Sequence, residues 1–312
     1  MRFKLNKWLW LGITSELLVA PNISVMKYTF SGMNILYFTF LRYLVVLPFC
    51  IPALYNILKQ KQLNKDSAKD IILASAFLAL AILSFTYALR ISNASYAAIL
   101  GLAGPIFFIP LSIRLEKEKV NRKAVAGLSL AASGAFAVVI LPIAFTQKGS
   151  LNFNPLASLL LILNLITWSL FIIYYRKINE RGISLNAIMG FNAVSSIIVF
   201  GLLFGITSYA ASGSVDFTIT KGQIIAIVFS ALIVTFLSRK WKITVYEKLG
   251  SASSSALDYL GSLLSILVSI IFLHEQLSIG VAVGGVLIIL GLYISEYHKS
   301  EHHKHAGSMR HH

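Results

Sequence analysis

Charged residues and cysteine are scarce in this sequence. Only 12% of its 312 residues are charged, whereas soluble globular domains carry about 25%. The one cysteine, Cys50, excludes an intramolecular disulfide framework. The sequence also contains no nucleophilic triad, phosphate-binding loop or cluster of metal ligands. We therefore expect no enzyme activity, no cofactor and no metal site.

Long apolar runs occupy most of the chain. Hydrophobic residues make up 57% of it, and the mean hydropathy is +0.77. A membrane-spanning helix needs ~20 mostly apolar residues, so the chain predicts an all-α integral membrane protein with ten transmembrane helices. We number these predicted spans 1 to 10; they cover residues 8–26, 34–56, 70–90, 95–114, 122–145, 155–175, 185–209, 222–244, 251–273 and 277–297.

The basic residues indicate how the spans are oriented. Cytoplasmic connections of membrane proteins carry an excess of Lys and Arg. With the amino terminus inside, 22 of the 27 Lys and Arg residues lie in inner segments, four lie in outer loops, and Arg42 lies within span 2. We expect a multi-pass protein of the cytoplasmic membrane with both termini in the cytoplasm. The net charge of +15 follows from this arrangement and does not predict nucleic-acid binding.

The two halves of the chain repeat one another. A shift of 157 residues superimposes Glu118 on Glu275, Gly127 on Gly284, Gly134 on Gly291 and Gly104 on Gly261. The basic loop after span 4 has a counterpart after span 9 without Lys or Arg, so the halves cross in opposite directions. We predict two inverted five-helix repeats, residues 1–146 and 147–297, followed by a disordered, His-rich tail, residues 298–312.

Inverted repeats are typical of secondary transporters, which bind their substrate near the middle of the membrane, between the halves. They also occur in channels and in some membrane-bound enzymes. These two classes remain the alternatives from outside the transporters.

Several short motifs, in their order and spacing, are similar to those of one family. They are an aromatic-Leu-Gly opening of span 1, an arginine in span 2, a Tyr-Ala-Leu-Arg end of span 3, a Gly-Pro pair in span 4, and a glutamate with spaced glycines opening spans 5 and 10. The residues are Trp10, Leu11, Gly12, Arg42, Tyr87, Ala88, Leu89, Arg90, Gly104, Pro105, Glu118, Gly127, Gly134, Glu275, Gly284 and Gly291. Over residues 8–297 the chain resembles the drug/metabolite transporter superfamily, and within it the ten-helix proteins with two EamA-type repeats.

This resemblance implies a basket of helices around a cavity lined by spans 1, 3, 4, 6, 8 and 9. It implies substrates such as amino acids, sugars, nucleotide derivatives or quaternary amines. Span 1 also resembles that of small multidrug resistance proteins, whose membrane glutamate, Glu16 here, binds protons and organic cations. The chain departs from the family pattern at Ser262, where the proline corresponding to Pro105 is expected. We assign structural roles to Gly104, Pro105, Glu118 and Glu275.

Glu16 and Asp258 are the two acidic residues that fall well inside apolar spans. A charge at the membrane centre costs at least ~2.5 kcal/mol on insertion scales, so such residues usually have a partner or a function. Both lie a similar distance from the inner end of their spans, on the order of 10–12 Å at 1.5 Å per residue. We predict that they face one another and either exchange protons or hold the ammonium group of a substrate.

A polar stripe follows span 9. Ser251, Ser255, Asp258, Ser262, Ser265 and Ser269 recur at intervals of three and four residues, which places them on one face of a helix. Serines alone indicate close helix packing. With Asp258 in the same stripe, we predict a water-filled cavity and assign Ser255 and Ser262 to the binding site.

Further candidates lie on spans 1, 3, 6 and 8. Asn164, Trp168 and Tyr175 of span 6 can form a polar and aromatic wall, although Tyr175 also fits an interfacial aromatic belt. Tyr87 in span 3 and Asn22, beside a helix break at Pro21, complete the set.

Arg239 and Lys242, near the inner end of span 8, leave two possibilities open, and Arg239 is the one expected to reach the level of Asp258. They either pair with Asp258, giving a zwitterionic site suited to an amino acid, or extend to lipid headgroups and leave an acidic cavity. Arg42 extends to the headgroups or ties span 2 to the bundle.

We predict a secondary active transporter for a small polar metabolite, an amino acid or another amine, with amino acid export as one form and coupling to protons as an option. A carrier of quaternary cations and drugs is the alternative if Glu16 stands alone and Arg239 points away. The expected partners are the substrate, protons and the lipid bilayer. Both a monomer and a homodimer fit the sequence.

Overall fold

The computed structural model describes residues 7–60, 63–116, 154–214 and 217–274, together with scattered helical positions at 125–137 and 283–294. These residues confirm the all-α class, since they form helices joined by short turns. Within these described ranges, six helices are long and apolar enough to cross a membrane, and a shorter apolar helix covers Leu257–Leu273. Most of spans 5 and 10, with Glu118 and Glu275, lies outside the described residues.

Each described span corresponds to one or more helices. Span 1 comprises Lys7–Val19 and Asn22–Phe30, and span 4 comprises Ala94–Gly101 and Gly104–Glu116. The predicted break at Pro21 is confirmed, and Gly104 and Pro105 open the second helix of span 4, where proline is tolerated because its missing N–H has no partner to lose. The others are Ile35–Lys59 for span 2, Lys65–Ile91 for span 3, Pro155–Glu180 for span 6, Leu185–Ser212 for span 7, and Lys221–Val228, the π-helix Phe229–Ser238 and Arg239–Leu273 for spans 8 and 9.

Short polar side chains define where several helices begin. The side chains of Asn34, Asn64, Asn154 and Ser184 each accept hydrogen bonds from backbone N–H groups of the following first turn. Those N–H groups have no partner within the helix, so each cap stabilises its helix by about 1 kcal/mol. Span 7 ends at Gly213, whose φ of 66° is left-handed and suits glycine.

The chain reverses direction between spans 8 and 9. In a straight helix, Lys242 and Asp258 would be separated by about 24 Å. Their Nζ and Oδ1 atoms are instead 2.6 Å apart. Although residues Arg239–Leu273 are all helical, the segments up to Leu249 and from Leu257 are therefore antiparallel neighbours.

The packing of the spans has the symmetry expected of inverted repeats. Under the repeat, spans 1, 3 and 4 correspond to spans 6, 8 and 9. Spans 3 and 4 both pack on span 6, and their counterparts, spans 8 and 9, both pack on span 1. Spans 2 and 7, which are each other's counterparts, pack together. This is the pattern that a two-fold axis in the membrane plane produces.

Apolar side chains face outward along the bundle. On span 7, Val194, Ile198, Leu202 and Ile206 recur every four residues and are 38%, 55%, 61% and 65% exposed. A stripe of this kind on a long helix faces lipid. The polar side chains considered below lie on the inward faces.

Candidate functional site

A cluster of charged groups joins spans 1, 8 and 9. The ammonium of Lys242 lies 3.0 Å from Oε1 of Glu16 and 2.6 Å from Oδ1 of Asp258. The hydroxyl of Tyr246, one turn along from Lys242, donates a hydrogen bond to Oδ2 of Asp258. The side chain of Glu16 is 5% exposed, whereas those of Lys242 and Asp258 are about one-fifth exposed. We call these four residues the charged cluster.

Tight packing of span 1 on span 9 holds Glu16 in this position. A Cβ atom added to Gly261 would overlap the carboxylate of Glu16, so the carboxylate lies directly against the backbone of span 9. One turn earlier, a Cβ on Gly12 would overlap Leu257. Ser15 donates a hydrogen bond of 3.1 Å to the carbonyl of Ser238 and fixes span 1 to span 8.

The structure answers the question that the sequence left open about Arg239. The partner of Asp258 is Lys242, three residues further along span 8, and Arg239 does not pair with Asp258. Nor does Arg239 extend to headgroups, because it is 8% exposed. Its Nη1 donates to the hydroxyl of Tyr43 at 3.1 Å, and its guanidinium lies 5.5 Å from the ring centre of Trp168.

The π-helix brings polar groups of span 8 to the same face. Thr235 donates a hydrogen bond to the carbonyl of Ser230, five residues earlier, as the wider turns of a π-helix allow. Thr235 also accepts a hydrogen bond from Nε of Arg42, and Ser230 donates one of 2.7 Å to Oδ1 of Asn22. Arg42 therefore ties span 2 to the bundle, the second of its two predicted roles.

The remaining span 6 candidates and Tyr87 lie apart from the charged cluster. Asn164 donates to the carbonyl of Ala81 on span 3 at 2.9 Å. Tyr175 is fully buried, and its hydroxyl donates to the carbonyl of Leu185 at 2.8 Å. Tyr87 is 38% exposed at the outer end. Their assignment to a binding site remains a prediction.

The outer part of the span 9 stripe is packed. Ser265 and Ser269 are 4% and 0% exposed, and Ser269 forms a 3.0 Å hydrogen bond with Ser24 of span 1. The prediction of a water-filled cavity along these residues was therefore wrong, since the second helix of span 1 covers them. Ser262 lies against Gly101 of span 4. The side chain of Ser255 is outside the described part of the structure.

Ion pairs close the end that the charge distribution assigns to the cytoplasm, which we call the inner end. Asp70 of span 3 forms ion pairs with Lys177 at 3.3 Å and with Arg181 at 3.0 Å. Glu116 of span 4 pairs with Arg176 at 3.0 Å. Both acidic residues belong to the first half and all three basic residues to the second.

The opposite, outer end contains an open cavity of about 360 Å³. Side chains from both halves line it, including Tyr87 and Arg90 from the first half and Phe204 and Thr207 from the second. The end of span 3 beside it is capped by Lys27, whose ammonium donates to the carbonyls at positions 89, 90 and 92 over 2.6–3.2 Å. Cations stabilise helix carboxyl ends in this way.

Sequence reasoning considered Lys242 beside Arg239 but favoured Arg239 as the partner of Asp258, and it missed Tyr246. Span 8 carries several basic residues near its inner end, and only the reversal before span 9 decides which of them meets Asp258. Spacing offered one signal, because Arg239, Lys242 and Tyr246 recur at three and four residues. Among the described residues, no group of His, Cys, Asp and Glu is arranged to hold a metal ion.

Comparisons with known proteins agree with this architecture. An uncharacterized transporter from Acidianus ambivalens is 27% identical over 274 residues, which cover 85% of this chain and 94% of that protein. An uncharacterized transporter from Clostridium kluyveri is 23% identical over 211 residues, or 67% of this chain and 65% of that one. A solved crystal structure shares the fold with a TM-score of 0.68 at 16% identity, over 93% of this chain and 96% of its own.

The family model called "EamA-like transporter family" matches the chain twice, at residues 6–140 and 155–297. The two matches fall one in each half of the molecule and together cover nearly all of its described helices. The chain belongs to the EamA-like transporter family.

Proposed function

We propose that this membrane transporter is a secondary active carrier of a small, amine-bearing metabolite, and that the charged cluster binds its ammonium group. The observation that carries the proposal is the composition of the cluster. Glu16 and Asp258 share one lysine, Lys242, so two carboxylates meet one ammonium. The cluster has one negative charge in excess.

An excess charge in the interior of a membrane protein is costly until a cation neutralises it. A proton on Glu16 or Asp258 would balance the cluster, and so would the ammonium of a substrate. The two cations would compete for one negative charge. Loading the substrate would then release a proton, which is the coupling that an exchanger driven by a proton gradient needs.

The two ends of the bundle support transport by alternating access. The inner end is held closed by ion pairs from Asp70 and Glu116 to the second half, while the outer end has a cavity between the halves. A rocking motion of one half against the other would break the ion pairs at the inner end and close the cavity at the outer end.

Lys242 argues against the alternative of a carrier for quaternary cations and drugs. A solitary Glu16 would favour that alternative, and Glu16 instead shares an ammonium with Asp258. A quaternary cation has no N–H group to donate to the two carboxylates beside Lys242. A primary ammonium offers the same donors as the lysine.

The experiment compares Glu16→Gln, Asp258→Asn and the control Glu180→Gln in reconstituted vesicles. Glu180 is exposed at the inner end, so its substitution changes one charge and leaves the cluster intact. A thermal-shift screen of amino acids and amines first identifies a ligand, and its uptake is then measured across a pH series. We expect the two cluster variants to lose uptake and its pH dependence. Unchanged rates and pH profiles in both would contradict the proposal.

A further inference from the structure

Two buried arginines lie beside the charged cluster and have no acidic partner among the residues that the structure describes. Arg42 and Arg239 are 6% and 8% exposed. In the part of the chain that the structure describes, every ion pair involves other basic residues. An arginine inside a membrane protein costs at least ~2.5 kcal/mol on insertion scales and normally faces a counterion.

The contacts of Arg42 are neutral. Its Nε donates to the hydroxyl of Thr235, and its Nη1 lies 4.0 Å from the sulfur of Met26. A guanidinium carries five N–H donors in a planar fork. The Nη2 group therefore donates to none of the described residues.

Arg239 is held by aromatic side chains. Nη1 donates to the hydroxyl of Tyr43, and the guanidinium lies 5.5 Å and 5.8 Å from the ring centres of Trp168 and Phe171. Both rings are within the range of a cation–π contact, which helps to hold the guanidinium in place. The Tyr43 hydroxyl accepts from only one of its nitrogens. Arg42 and Tyr43 are adjacent on span 2, and their partners Thr235 and Arg239 lie four residues apart on span 8, so the two guanidinium groups occupy neighbouring levels of the same helix contact.

The two arginines adjoin the charged cluster. Arg239 and Lys242 are three residues apart in one helix, which places them on the same face with about 5–6 Å between their Cβ atoms. Ser15, next to Glu16, contacts the carbonyl of Ser238, next to Arg239. A region of excess positive charge therefore borders the cluster with its excess negative charge.

We propose that Arg42 and Arg239 form a subsite for the carboxylate group of the substrate. Carboxylates match the planar fork of arginine in two hydrogen bonds, and one bound carboxylate would offset part of the positive charge of the two guanidinium groups. The inference rests on the proposed function, because the neighbouring cluster takes the ammonium group. Together the two subsites specify a zwitterionic substrate, an amino acid with its carboxylate at the arginines.

The test uses fragments that address each subsite separately. The stability of the full-length protein in detergent is measured by thermal shift with sodium propionate, which has only the carboxylate, and with propylammonium chloride, which has only the ammonium. Sodium chloride at equal ionic strength is the reference. The proteins are the wild type, Arg42→Gln, Arg239→Gln and the control Arg114→Gln, whose residue is exposed on span 4.

We expect propionate to stabilise the wild type and the control, and each arginine variant to bind it at least about tenfold more weakly, as the loss of a charged hydrogen bond implies. Propylammonium should stabilise all four proteins. Arg239→Lys keeps the charge but loses the planar fork. If a glutamine variant does not fold, this variant replaces it, and we expect it to bind propionate more weakly than the wild type does.

The outcomes separate the two proposals. If propionate stabilises all variants equally, acts no better than chloride or has no effect, the arginine subsite is wrong, whatever propylammonium does. If stabilisation by propionate requires both arginines while propylammonium stabilises none of the proteins, the arginine subsite is supported and the proposed ammonium site is wrong.

Discussion

The two halves of the molecule use the same packing for different purposes. Span 9 packs on span 1 at Gly261, where the carboxylate of Glu16 lies against the glycine. Span 4 packs on span 6 at the equivalent Gly104, where the nearest side chain is that of Leu165. The contacts are related by the repeat, but one holds a carboxyl group and the other an apolar side chain.

The difference extends to the whole charged cluster. At the 157-residue offset, Glu16, Lys242 and Asp258 correspond to Ile173, Phe85 and Gly101. The repeat therefore determines how the helices pack, whereas a few side chains in one half determine the chemistry. A symmetric scaffold can rock between two states, and an asymmetric site lets it bind a specific ligand.

Removing the cation of the cluster should give the largest effect. Lys242→Met leaves two carboxylates near one another without a counterion, and breaking a buried pair in this way costs about 3 kcal/mol. Unfolding of the detergent-solubilised protein should show this loss, and Asp258→Asn in the same chain should restore part of it. Its counterpart Phe85→Leu exchanges one apolar side chain for another and should cost less than about 1.5 kcal/mol. Equal losses of unfolding free energy in Lys242→Met and Phe85→Leu would show that the two halves do not differ in stability at these equivalent positions.

The paired glycines provide a direct comparison of the two contacts. In Gly261→Ala the new methyl group must displace Glu16, whereas in Gly104→Ala it meets Leu165 at an ordinary 3.7 Å. Overpacking of this kind costs about 1–3 kcal/mol, so we expect substrate uptake by Gly261→Ala to fall about tenfold. Gly104→Ala should stay close to the wild type. Similar uptake by both variants would contradict the position of Glu16 against span 9.

The ion pairs of Asp70 join the halves at the inner end and should matter less. Asp70→Asn weakens the pairs with Lys177 and Arg181, which are partly exposed and so contribute about 1 kcal/mol. This favours opening of the inner end by about fivefold. The measurement is the rate of maleimide labelling of Ala74→Cys, buried one turn from Asp70, in a Cys50→Ala background. A rate unchanged by Asp70→Asn would argue that these pairs do not hold the inner end closed.

The hydrogen bond between Ser269 and Ser24 should have the smallest effect. Hydrogen bonds between membrane helices contribute about 0.6 kcal/mol on average, so Ser269→Ala should lower the unfolding free energy by about that amount. Uptake should be unchanged, because the packed outer part of the stripe lies away from the cluster. A large loss of uptake with normal stability would contradict this prediction and indicate that Ser269 lines the substrate pathway.

The architecture was predictable because it depends on sums over many residues. Apolar length marked the spans, and Pro21 marked a break that the structure contains. The site was only partly predictable. Glu16 and Asp258 stood out as acids in apolar spans. The presence of Asp258 in the stripe of serines led to the prediction of water along the whole stripe, whereas Ser269 meets Ser24, since periodicity identifies a polar face and not what covers it.

The sequence by itself determined an all-helical membrane protein of two similar halves, because hydrophobic length and repeated glycines are properties of the chain. Only the tertiary structure decided which basic group meets which acid. The reversal before span 9 brings Asp258 to Lys242, and the π-helix aligns Thr235 with Arg42. The reversal and the π-helix depend on local backbone geometry that no α-helical spacing describes. Together they decide which basic residues meet the acids of the cluster and which two arginines lie beside it.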